Sequence, residues 1–431
     1  MPGRLNSFQR TMLQWNDLHP YNAVHVVRIP RLLELNHLRD VINSTLETQG
    51  LIGLTLNRKQ GTYWYEGGPA LSEIRIIESR QGARTALELE IEYQLNTAFA
   101  LHERFSPFRF FVAPGQDYFW LGVVYFHAMA DAESIVLLLR RVTEAYQGKI
   151  STEVSQPVEI YPRGHELMLS RPALLARKIC ALPSQAGNMR SSCRPPFRDP
   201  QDLNNGFVFF ALEPRPLLVL GKAAKSAEVT LNDLFLALLM KSLSPLATRR
   251  ALAPRRRRIS VGCIVNLRKD LGLDRQQTFG LFLGSSVVTH EVPDEMSVID
   301  LAKAIRRQTL ALKQHKLYLA TPLELGLARF LFSLYSTRGR QKFYQKNYPL
   351  WGGITNMNLN ALWQTQDAAK PLDYFRAVST GPATPLVLSV TTVNDFANIG
   401  LTFRSTVFSE RDIERFKSEF FGAIEQVAAR A

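Results

Sequence analysis

The chain has 431 residues, a net charge of +14, 46% hydrophobic residues and 21% charged residues. That length is too great for one compact core and predicts two domains or lobes in an ordinary globular protein. The three cysteines form no even framework and no Cys-x-x-Cys pair, which argues against structural disulfides and for a reducing, cytoplasmic location. The N-terminal segment lacks the apolar core of a signal peptide, and no apolar run reaches the ~18 residues of a transmembrane segment.

The excess of basic residues is concentrated in the second half of the chain. Such clusters favour an acidic partner, which could be nucleic acid, a phosphate-bearing cofactor, an acidic carrier protein or an anionic membrane. Alternatively, each cluster is only a solvated basic surface. Nucleic acid is not expected, because the chain has no zinc-finger spacing and no aromatic RNA-binding signature. The clustered residues are Arg249, Arg250, Arg255 to Arg258, Arg306, Arg307, Arg338, Arg340, Lys342 and Lys346.

Hydrophobic periodicity predicts mixed strands and helices along the first part of the chain. In chain order we expect a strand at 22–29, a helix at 32–48, a hairpin at 51–56 and 62–66, a strand at 73–77, a helix at 85–97, a hairpin at 107–113 and 117–126, and a helix at 133–147. Prolines then punctuate residues 148–205, which indicates a connection that contains one short helix near 166–181.

The second part of the chain again alternates strands and helices. We expect strands at 206–212, 258–265, 281–290, 352–358, 373–380, 385–393 and 399–404, and helices at 230–248, 297–315, 322–336 and 409–428. Because this mixture recurs in both parts, the predicted fold class is α/β (α+β) with two lobes of similar type. We expect one lobe at residues 1–180 and the other at residues 181–431.

His127 and Asp131 lie where a predicted buried strand becomes a predicted amphipathic helix. A histidine at the end of a buried strand can be held firmly and still reach a cavity, and its pKa near neutrality suits a catalytic base. The aspartate lies at the helix N-terminus, where the helix dipole favours a negative charge. Alternatively, Asp131 is only a helix cap and His127 a satisfied core histidine, and the spacing alone does not decide between these interpretations.

Several common catalytic motifs do not occur in the sequence. It has no Gly-x-x-x-x-Gly-Lys phosphate loop, no Gly-x-Gly-x-x-Gly fingerprint and no Gly-x-Ser-x-Gly nucleophile turn, since the serines after Gly284 lack the second glycine. It also has no His-Glu-x-x-His helix, and we expect no metal site.

The segment 126–132, Phe-His-Ala-Met-Ala-Asp-Ala, resembles the signature His-His-x-x-x-Asp-Gly. That signature is typical of a superfamily that includes nonribosomal-peptide condensation domains, plant BAHD acyltransferases, wax-ester synthases and polyketide-associated acyltransferases. Residues 5–12, 265–268, 279–284 and 351–356 also resemble segments of this superfamily, in the same order. The similarity covers nearly the whole chain.

The resemblance implies two chloramphenicol-acetyltransferase-like lobes arranged in a V, with a central tunnel that donor and acceptor enter from opposite faces. It also implies that His127 is the catalytic histidine, that Asp131 shapes the site, and that Arg268 from the second lobe pairs with Asp131. The sequence itself does not identify the oxyanion donors. The hydroxyls of Ser389 and Thr391 and the amide of Asn356 are candidates, and the alternative for each is a structural role. We expect eight residues to bind substrate: Phe126, Ala132, Asn266, Gly284, Ser285, Asn356, Ser389 and Thr391.

The implied function is acyl transfer from a thioester to a small amine or hydroxyl acceptor, which forms an amide or ester in natural-product or lipid biosynthesis. We expect acyl-phosphopantetheine or acyl-coenzyme A as donor, no permanently bound cofactor, and a free-standing monomer. The basic charge favours an acidic acyl carrier protein over coenzyme A as the carrier of the acyl group.

Two other functions remain open at this stage. Phe126 replaces the first histidine of the signature and Ala132 replaces its glycine, so the chain could be a degenerate protein that binds acyl carrier proteins without turnover. It could also be a wax-ester-type O-acyltransferase that acts at a lipid surface.

Overall fold

The protein is described by a computed structural model that covers residues 2–78, 82–101, 103–148, 157–161, 171–363, 371 and 373–429, apart from the side chains at positions 337, 338 and 341. The strands are β1 (Gly3–Arg4), β2 (Asn22–Ile29), β3 (Leu54–Asn57), β4 (Thr62–Tyr65), β5 (Ile74–Ile76), β6 (Arg104–Phe105), β7 (Phe108–Pro114), β8 (Phe119–Phe126), β9 (Asn205–Leu212), β10 (Ile259–Asn266), β11 (Leu283–His290), β12 (Gly352–Asn358), β13 (Asp373–Val378), β14 (Leu386–Val393) and β15 (Phe396–Arg404). The α-helices are α1 (Ser7–Asn16), α2 (Leu35–Gln49), α3 (Ala83–Asn96), α4 (Ala132–Tyr146), α5 (Pro172–Ser191), α6 (Pro214–Ser226), α7 (Leu231–Leu243), α8 (Arg268–Leu271), α9 (Val298–Gln314), α10 (Thr321–Ser333), α11 (Thr337–Asn347), α12 (Leu359–Leu362) and α13 (Glu410–Ala428).

The predicted elements are confirmed for the most part, with ends that differ by a few residues. Three helices of ten or more residues, α1, α6 and α11, are missing from the prediction. Pro214 lies in the first turn of α6, where a proline loses no hydrogen bond within the helix, so it marks a helix start rather than a break. The predicted short helix near 166–181 is wrong in extent: α5 runs on to Ser191 although Pro183 lies inside it, and residues 162–170 lie outside the described part.

The first lobe is built on a five-stranded sheet with the order β13-β2-β8-β7-β5, beside a smaller sheet with the order β1-β4-β3-β6. β8 is buried along its whole length because both faces of the sheet are covered. This explains why its sequence is a continuous apolar run instead of an alternating one. The strand therefore delivers the residue that follows it, His127, to a fixed place at the end of the sheet.

The second lobe is built on a six-stranded sheet with the order β11-β10-β12-β14-β15-β9. Helix α7 covers one face of this sheet, and the whole stretch 233–240 is buried. A capping box at Thr230 and Asp233 fixes the start of α7. The mixed sheets and helices of both lobes confirm the predicted α/β (α+β) class.

β13 joins the two lobes. It comes from the second part of the chain but pairs along its length with β2 in the sheet of the first lobe. It also packs on β15, where a Cβ atom at Gly400 would lie 2.0 Å from the carbonyl oxygen of Arg376, so only glycine allows this approach. The division at residue 180 stays a prediction. β13 follows that division in the sequence but joins the sheet of the first lobe. Strand periodicity predicts a strand without specifying its sheet.

Within the described residues, no single helix is both long enough and apolar enough to cross a membrane. In the described part of the chain, one pair, α6 with α7 and the turn that follows it, meets the length and composition criterion together, but the pair is bent by 110°. The apolar side chains of α7 are buried in the core of the second lobe.

Candidate active site

The segment 127–131 connects the end of β8 to the start of α4 at the junction of the two lobes. Asp131 caps α4, because its Oδ1 accepts hydrogen bonds from the backbone N–H and the hydroxyl of Ser134, each at 3.1 Å. The backbone N–H of Asp131 donates to the carbonyl of Gly280, which belongs to the second part of the chain, at 3.0 Å. The loop is therefore fixed from both lobes.

Asp131 and Arg268 form a buried ion pair across this junction. The two guanidinium contacts to the carboxylate measure 2.6 and 2.9 Å, and each side chain is only 1% exposed. The backbone N–H of Phe282 donates to the same carboxylate at 3.0 Å. The predicted proximity of the two residues, which are far apart in sequence, is thereby confirmed. Charge-assisted, two-pronged contacts of this kind fix geometry as well as charge.

Asn266 and Phe282 hold Arg268 in place. The Oδ1 of Asn266 accepts the backbone N–H of Arg268 at 2.8 Å, and the guanidinium lies 4.6 Å from the centre of the Phe282 ring. Asn266 was predicted to bind substrate, but the structure shows its side chain oxygen engaged with the backbone next to the ion pair. This contact holds Arg268 in place.

His127 has one ring nitrogen engaged and the other available. Its Nδ1 lies 3.0 Å from the carbonyl oxygen of Ala130. Because a carbonyl only accepts hydrogen bonds, Nδ1 carries the proton in this contact, and the neutral ring then keeps its lone pair on Nε2. A histidine that is 8% exposed and held in this tautomer has the form required of a general base.

Two tyrosines enclose the imidazole ring. Tyr21 stacks on it with ring centres 5.6 Å apart, and Tyr125 meets it edge-on at 5.5 Å. Burial lowers the pKa of His127 below its usual 6.5, although the Ala130 carbonyl and the Asp131 carboxylate partly oppose this shift. The site therefore favours the neutral imidazole.

A second buried histidine, His25, lies beside His127 and was not recognised in the sequence. Its Nδ1 is 2.5 Å from the Tyr374 hydroxyl, and its Nε2 is 3.4 Å from the Tyr125 hydroxyl. Burial, followed by the charge of Arg376, lowers the pKa of His25 well below its usual value. The signal for this residue was a histidine between valines in the buried part of strand β2.

Arg376 supplies a buried positive charge near both histidines. Its Nε donates to the Thr391 hydroxyl at 2.8 Å, and its guanidinium also donates to the Val390 carbonyl at 2.7 Å and the Thr355 carbonyl at 3.2 Å. Burial lowers the pKa of Arg376 to about 10. The predicted oxyanion donor Thr391 thus already accepts a hydrogen bond from Arg376, with its own hydroxyl proton still available.

The other predicted substrate-binding residues are divided among several places. Phe126 packs in the first-lobe core, 5.9 Å from the ring centres of both Phe99 and Phe105. Ala132 is the partly buried first residue of α4. These two positions, which depart from the family signature, are therefore a core position and a helix start.

Gly284 and Ser285 pack against the turn before α10. A Cβ atom at Gly284 would lie 2.7 Å from the Tyr318 carbonyl oxygen, and the backbone N–H of Ser285 donates to the Thr321 hydroxyl at 2.9 Å. Their observed contacts join β11 to this turn. The structure does not bring them into contact with His127.

Asn356 and Ser389 lie on opposite faces of the second-lobe sheet. Asn356 is exposed and shares its face of β12 with Ile354, whereas Thr355 points to the other face and pairs in register with Ser389. Ser389 is 1% exposed, and its Oγ has no hydrogen-bond partner in the part of the chain that the structure describes. The face that β13 covers therefore carries Ser389 and Thr391 but not Asn356.

Comparison with solved structures identifies the fold. The condensation domain of the monacolin K polyketide synthase MokA superposes with a TM-score of 0.68 at 13% identity, over 100% of this chain and 98% of that chain. The EpoB cyclization-docking bidomain from Sorangium cellulosum gives 0.70 at 13% identity, over 99% and 85% of the two chains. Polyketide synthase associated protein 5 from Mycobacterium tuberculosis gives 0.65 at 14% identity, over 99% and 100%.

The chain therefore has the two-lobed, chloramphenicol-acetyltransferase-like fold of the condensation domains, and the predicted resemblance is confirmed at the level of the fold. No protein-family model matches the chain, and no curated protein sequence matches it significantly.

Proposed function

We propose that the protein is an acyltransferase that moves an acyl group from a thioester to an amine or hydroxyl acceptor, with His127 as the general base. The observation that carries this proposal is the contact between His127 Nδ1 and the Ala130 carbonyl at 3.0 Å, which leaves Nε2 as the proton acceptor. The buried Asp131–Arg268 pair supports it, because it holds the segment that contains the histidine. We further propose a role in natural-product biosynthesis, in line with the synthase and synthetase domains that share the fold.

The reaction needs one proton acceptor and a site that excludes water. Nε2 of His127 takes the proton from the acceptor as its nitrogen or oxygen attacks the thioester carbonyl. The C–S bond of the tetrahedral intermediate then breaks, and the leaving thiolate takes the proton back from Nε2. The base contributes ~10²–10⁴-fold, and alignment of the two substrates between the lobes contributes much of the remaining rate enhancement. The imidazole's partner is a backbone carbonyl rather than a serine or cysteine, which favours direct transfer over an acyl-enzyme intermediate.

The position of Phe126 argues against a protein that only binds acylated carriers. In this chain the position of the first signature histidine belongs to the core, so its replacement by phenylalanine removes no group from beside Nε2. Incubation with acyl-coenzyme A and acyl-carrier thioesters, together with a panel of amines and alcohols, separates the two functions. Product formation supports the enzyme, whereas binding without product supports the degenerate protein.

The test of the base is the His127→Ala variant, with His315→Ala as the matched control because His315 is exposed at the end of α9. We expect His127→Ala to lower turnover by about 10²-fold or more in a protein that still folds. His315→Ala should keep wild-type turnover. A folded His127→Ala variant with wild-type turnover would refute the proposal.

We propose an acidic acyl carrier protein as the donor's carrier. Arg255 and Arg257 are exposed, whereas Arg256 donates to the Ser192 carbonyl and Arg258 to Asn188. Attraction between this surface and an acidic protein would be screened over ~8 Å at physiological salt, so KM should rise with ionic strength.

Charge reversal at Arg255 and Arg257 tests the choice of carrier. It should raise KM for the carrier-bound donor but not for the same acyl group on pantetheine. Reversal of Arg215 and Lys222, which are exposed on α6, is the matched control. A lower KM for acyl-coenzyme A than for the carrier-bound donor would overturn this choice of carrier.

An exposed apolar stripe on α10 and the residue that follows it favours the lipid-surface alternative. Leu327, Phe330 and Leu334 are 46%, 62% and 66% exposed at helical spacing, and Lys342 on the next helix is exposed as well. An apolar face beside basic residues is typical of interfacial helices. Co-sedimentation with anionic but not neutral vesicles, lost in Phe330→Ser with Leu334→Ser, would support this second function, and absence of the wild-type protein from the pellet would exclude it.

A further inference from the structure

Polar side chains without partners lie on the face of β14 and β15 that β13 covers. The hydroxyls of Ser389 and Thr402 and two nitrogens of Arg404, Nε and Nη1, have no hydrogen-bond partner among the described residues. All three side chains are buried, with exposed fractions of 1%, 0% and 2%. A buried polar group without a partner destabilises the fold unless a ligand or water satisfies it.

Of these three residues, Arg404 has the highest free-energy cost of burial, because its side chain is charged. Its side chain makes one hydrogen bond, from Nη2 to the Thr380 carbonyl at 2.7 Å. No carboxylate of the described residues forms an ion pair with it, although Asp202 attracts it from farther away. That carboxylate is engaged with the backbone of Asn204 at 3.0 Å and the hydroxyl of Ser405 at 3.3 Å. Burial lowers the pKa of Arg404 to about 9.

A continuous set of contacts connects Arg404 to the end of β8. Thr380 accepts its hydrogen bond, and the neighbouring Ser379 donates its backbone N–H to Asn22 at 2.8 Å. Asn22 is paired in register with Phe126, the residue before His127. Tyr21, which stacks on the imidazole and is partly exposed, also interacts electrostatically with Arg404. Arg404 is thus connected to His127 through Tyr21 and the start of β2, whereas Arg268 is connected to it through Asp131.

We propose that Arg404 binds a carboxylate of the acceptor substrate, so that the acceptor is a hydroxy acid or an amino acid rather than a neutral alcohol or amine. This inference rests on the proposed acyl transfer and specifies its acceptor. A guanidinium matches a carboxylate in both charge and hydrogen-bond geometry. The hydroxyl or amine of the same molecule would then lie toward Nε2 of His127.

The competing explanation is structural. Ordered water, together with the charge of Asp202, could satisfy Arg404 without any ligand. In that case removal of the guanidinium would lower stability but would not change which acceptors are used. Measurements that compare an acid with its amide distinguish the explanations, because the two molecules differ mainly in charge.

The first experiment measures binding without turnover. Acetate and acetamide serve as minimal probes, and the melting temperature is recorded for the wild-type protein, Arg404→Met and Arg198→Met. Arg198 is the matched control, since its exposed guanidinium donates to the carbonyl of the adjacent Ser405. We expect acetate to stabilise the wild-type protein and Arg198→Met more than acetamide does, and Arg404→Met to lose this difference. Equal effects of acetate on all three proteins would overturn the proposal.

The second experiment measures acceptor selectivity with matched pairs such as serine and serinamide, or 3-hydroxybutyrate and its amide. We expect the acid to have a KM at least about tenfold below that of its amide, which corresponds to about 1.4 kcal/mol. Arg404→Met should abolish this preference, and Arg404→Lys, which keeps the charge, should retain part of it. If acids and amides are used equally by the wild-type protein, this inference fails while the acyl transfer stands. If no pair gives His127-dependent product, the proposed function itself fails.

Discussion

The two sides of His127 differ in how completely their buried charges are satisfied. On one side, Arg268 and Asp131 neutralise each other, and Ser134 and Phe282 complete the coordination of the carboxylate. On the other side, Arg404 has no carboxylate partner among the described residues, and two of its nitrogens lack hydrogen bonds there, compared with one, Nε, in Arg268. Both arginines are about equally buried.

The paired charges therefore have a structural role, whereas the unpaired charge can bind a substrate. The satisfied side explains how the loop 127–131 keeps its shape, because every charge there is paired within the protein. The unsatisfied side is stable only if water or a ligand compensates its charge. A catalytic site needs both kinds of surroundings, since one fixes the base and the other accepts the substrate.

The largest effect is expected from breaking the Asp131–Arg268 ion pair. Arg268→Met leaves Asp131 charged, buried and unpaired, so the free energy of unfolding should fall by about 3–5 kcal/mol, with a loss of activity through displacement of His127. Urea denaturation measures the loss. The double variant Asp131→Leu with Arg268→Met removes both charges and should recover part of the stability. A single variant as stable as the wild-type protein would show that the pair is not important for the fold.

The base itself should show a defined pH dependence. Because burial lowers the pKa of His127 below 6.5, kcat/KM should be constant around neutral pH and fall by about tenfold per pH unit only below that lowered pKa. The direction follows from the requirement for a neutral imidazole. A pH–rate profile between pH 4 and 8 checks it, and activity that increases on acidification would contradict the assignment of His127 as base.

Stability should also decrease in acid. Burial lowers the pKa of His19 to about 4, and it lowers the pKa values of His25 and His127 as well. At these three histidines the unfolded chain binds more protons than the folded protein below pH 6.5, so their contribution to stability is lost as pH falls from 6.5 toward the lowered values. His19→Asn should flatten this dependence in urea titrations at several pH values. An unchanged slope would mean that the pKa of His19 is not lowered in the folded protein.

Thr391 connects the base region to Arg376 and should show an intermediate effect. Thr391→Val removes the acceptor of the Arg376 Nε, which should cost about 1.5–3 kcal/mol because that hydrogen bond involves a charged group. Thr391→Ser keeps the hydroxyl and should retain most of the stability. If Thr391→Val lowers kcat while stability stays unchanged, Thr391 acts on the substrate and not on Arg376.

The smallest effect is expected at Asn356, which lies on the opposite face from Ser389 and Thr391. Asn356→Ala should change stability by no more than about 0.5 kcal/mol and leave turnover unaltered, because the side chain is exposed. A large loss of kcat in this variant would show that Asn356 does act in the reaction, as expected of an oxyanion donor.

The sequence predicts the satisfied side better than the unsatisfied one. The family resemblance identifies His127, Asp131 and Arg268, because they occur at recognisable spacings next to predicted strands and helices. Arg376 and Arg404 lie in ordinary strand patterns, and their importance depends on β13 crossing to the other lobe. Strand periodicity predicts that a segment is extended, but it does not specify which sheet the segment joins.

The most direct test of the account is the protonation of the two nitrogens of His127. Nitrogen NMR of protein with ¹⁵N-labelled histidine, with the signal assigned by its loss in His127→Ala, distinguishes a protonated from an unprotonated ring nitrogen. At neutral pH we expect the proton on Nδ1, bonded to the Ala130 carbonyl, and a free lone pair on Nε2. A proton on Nε2, or on both nitrogens at neutral pH, would contradict the role of His127 as the base.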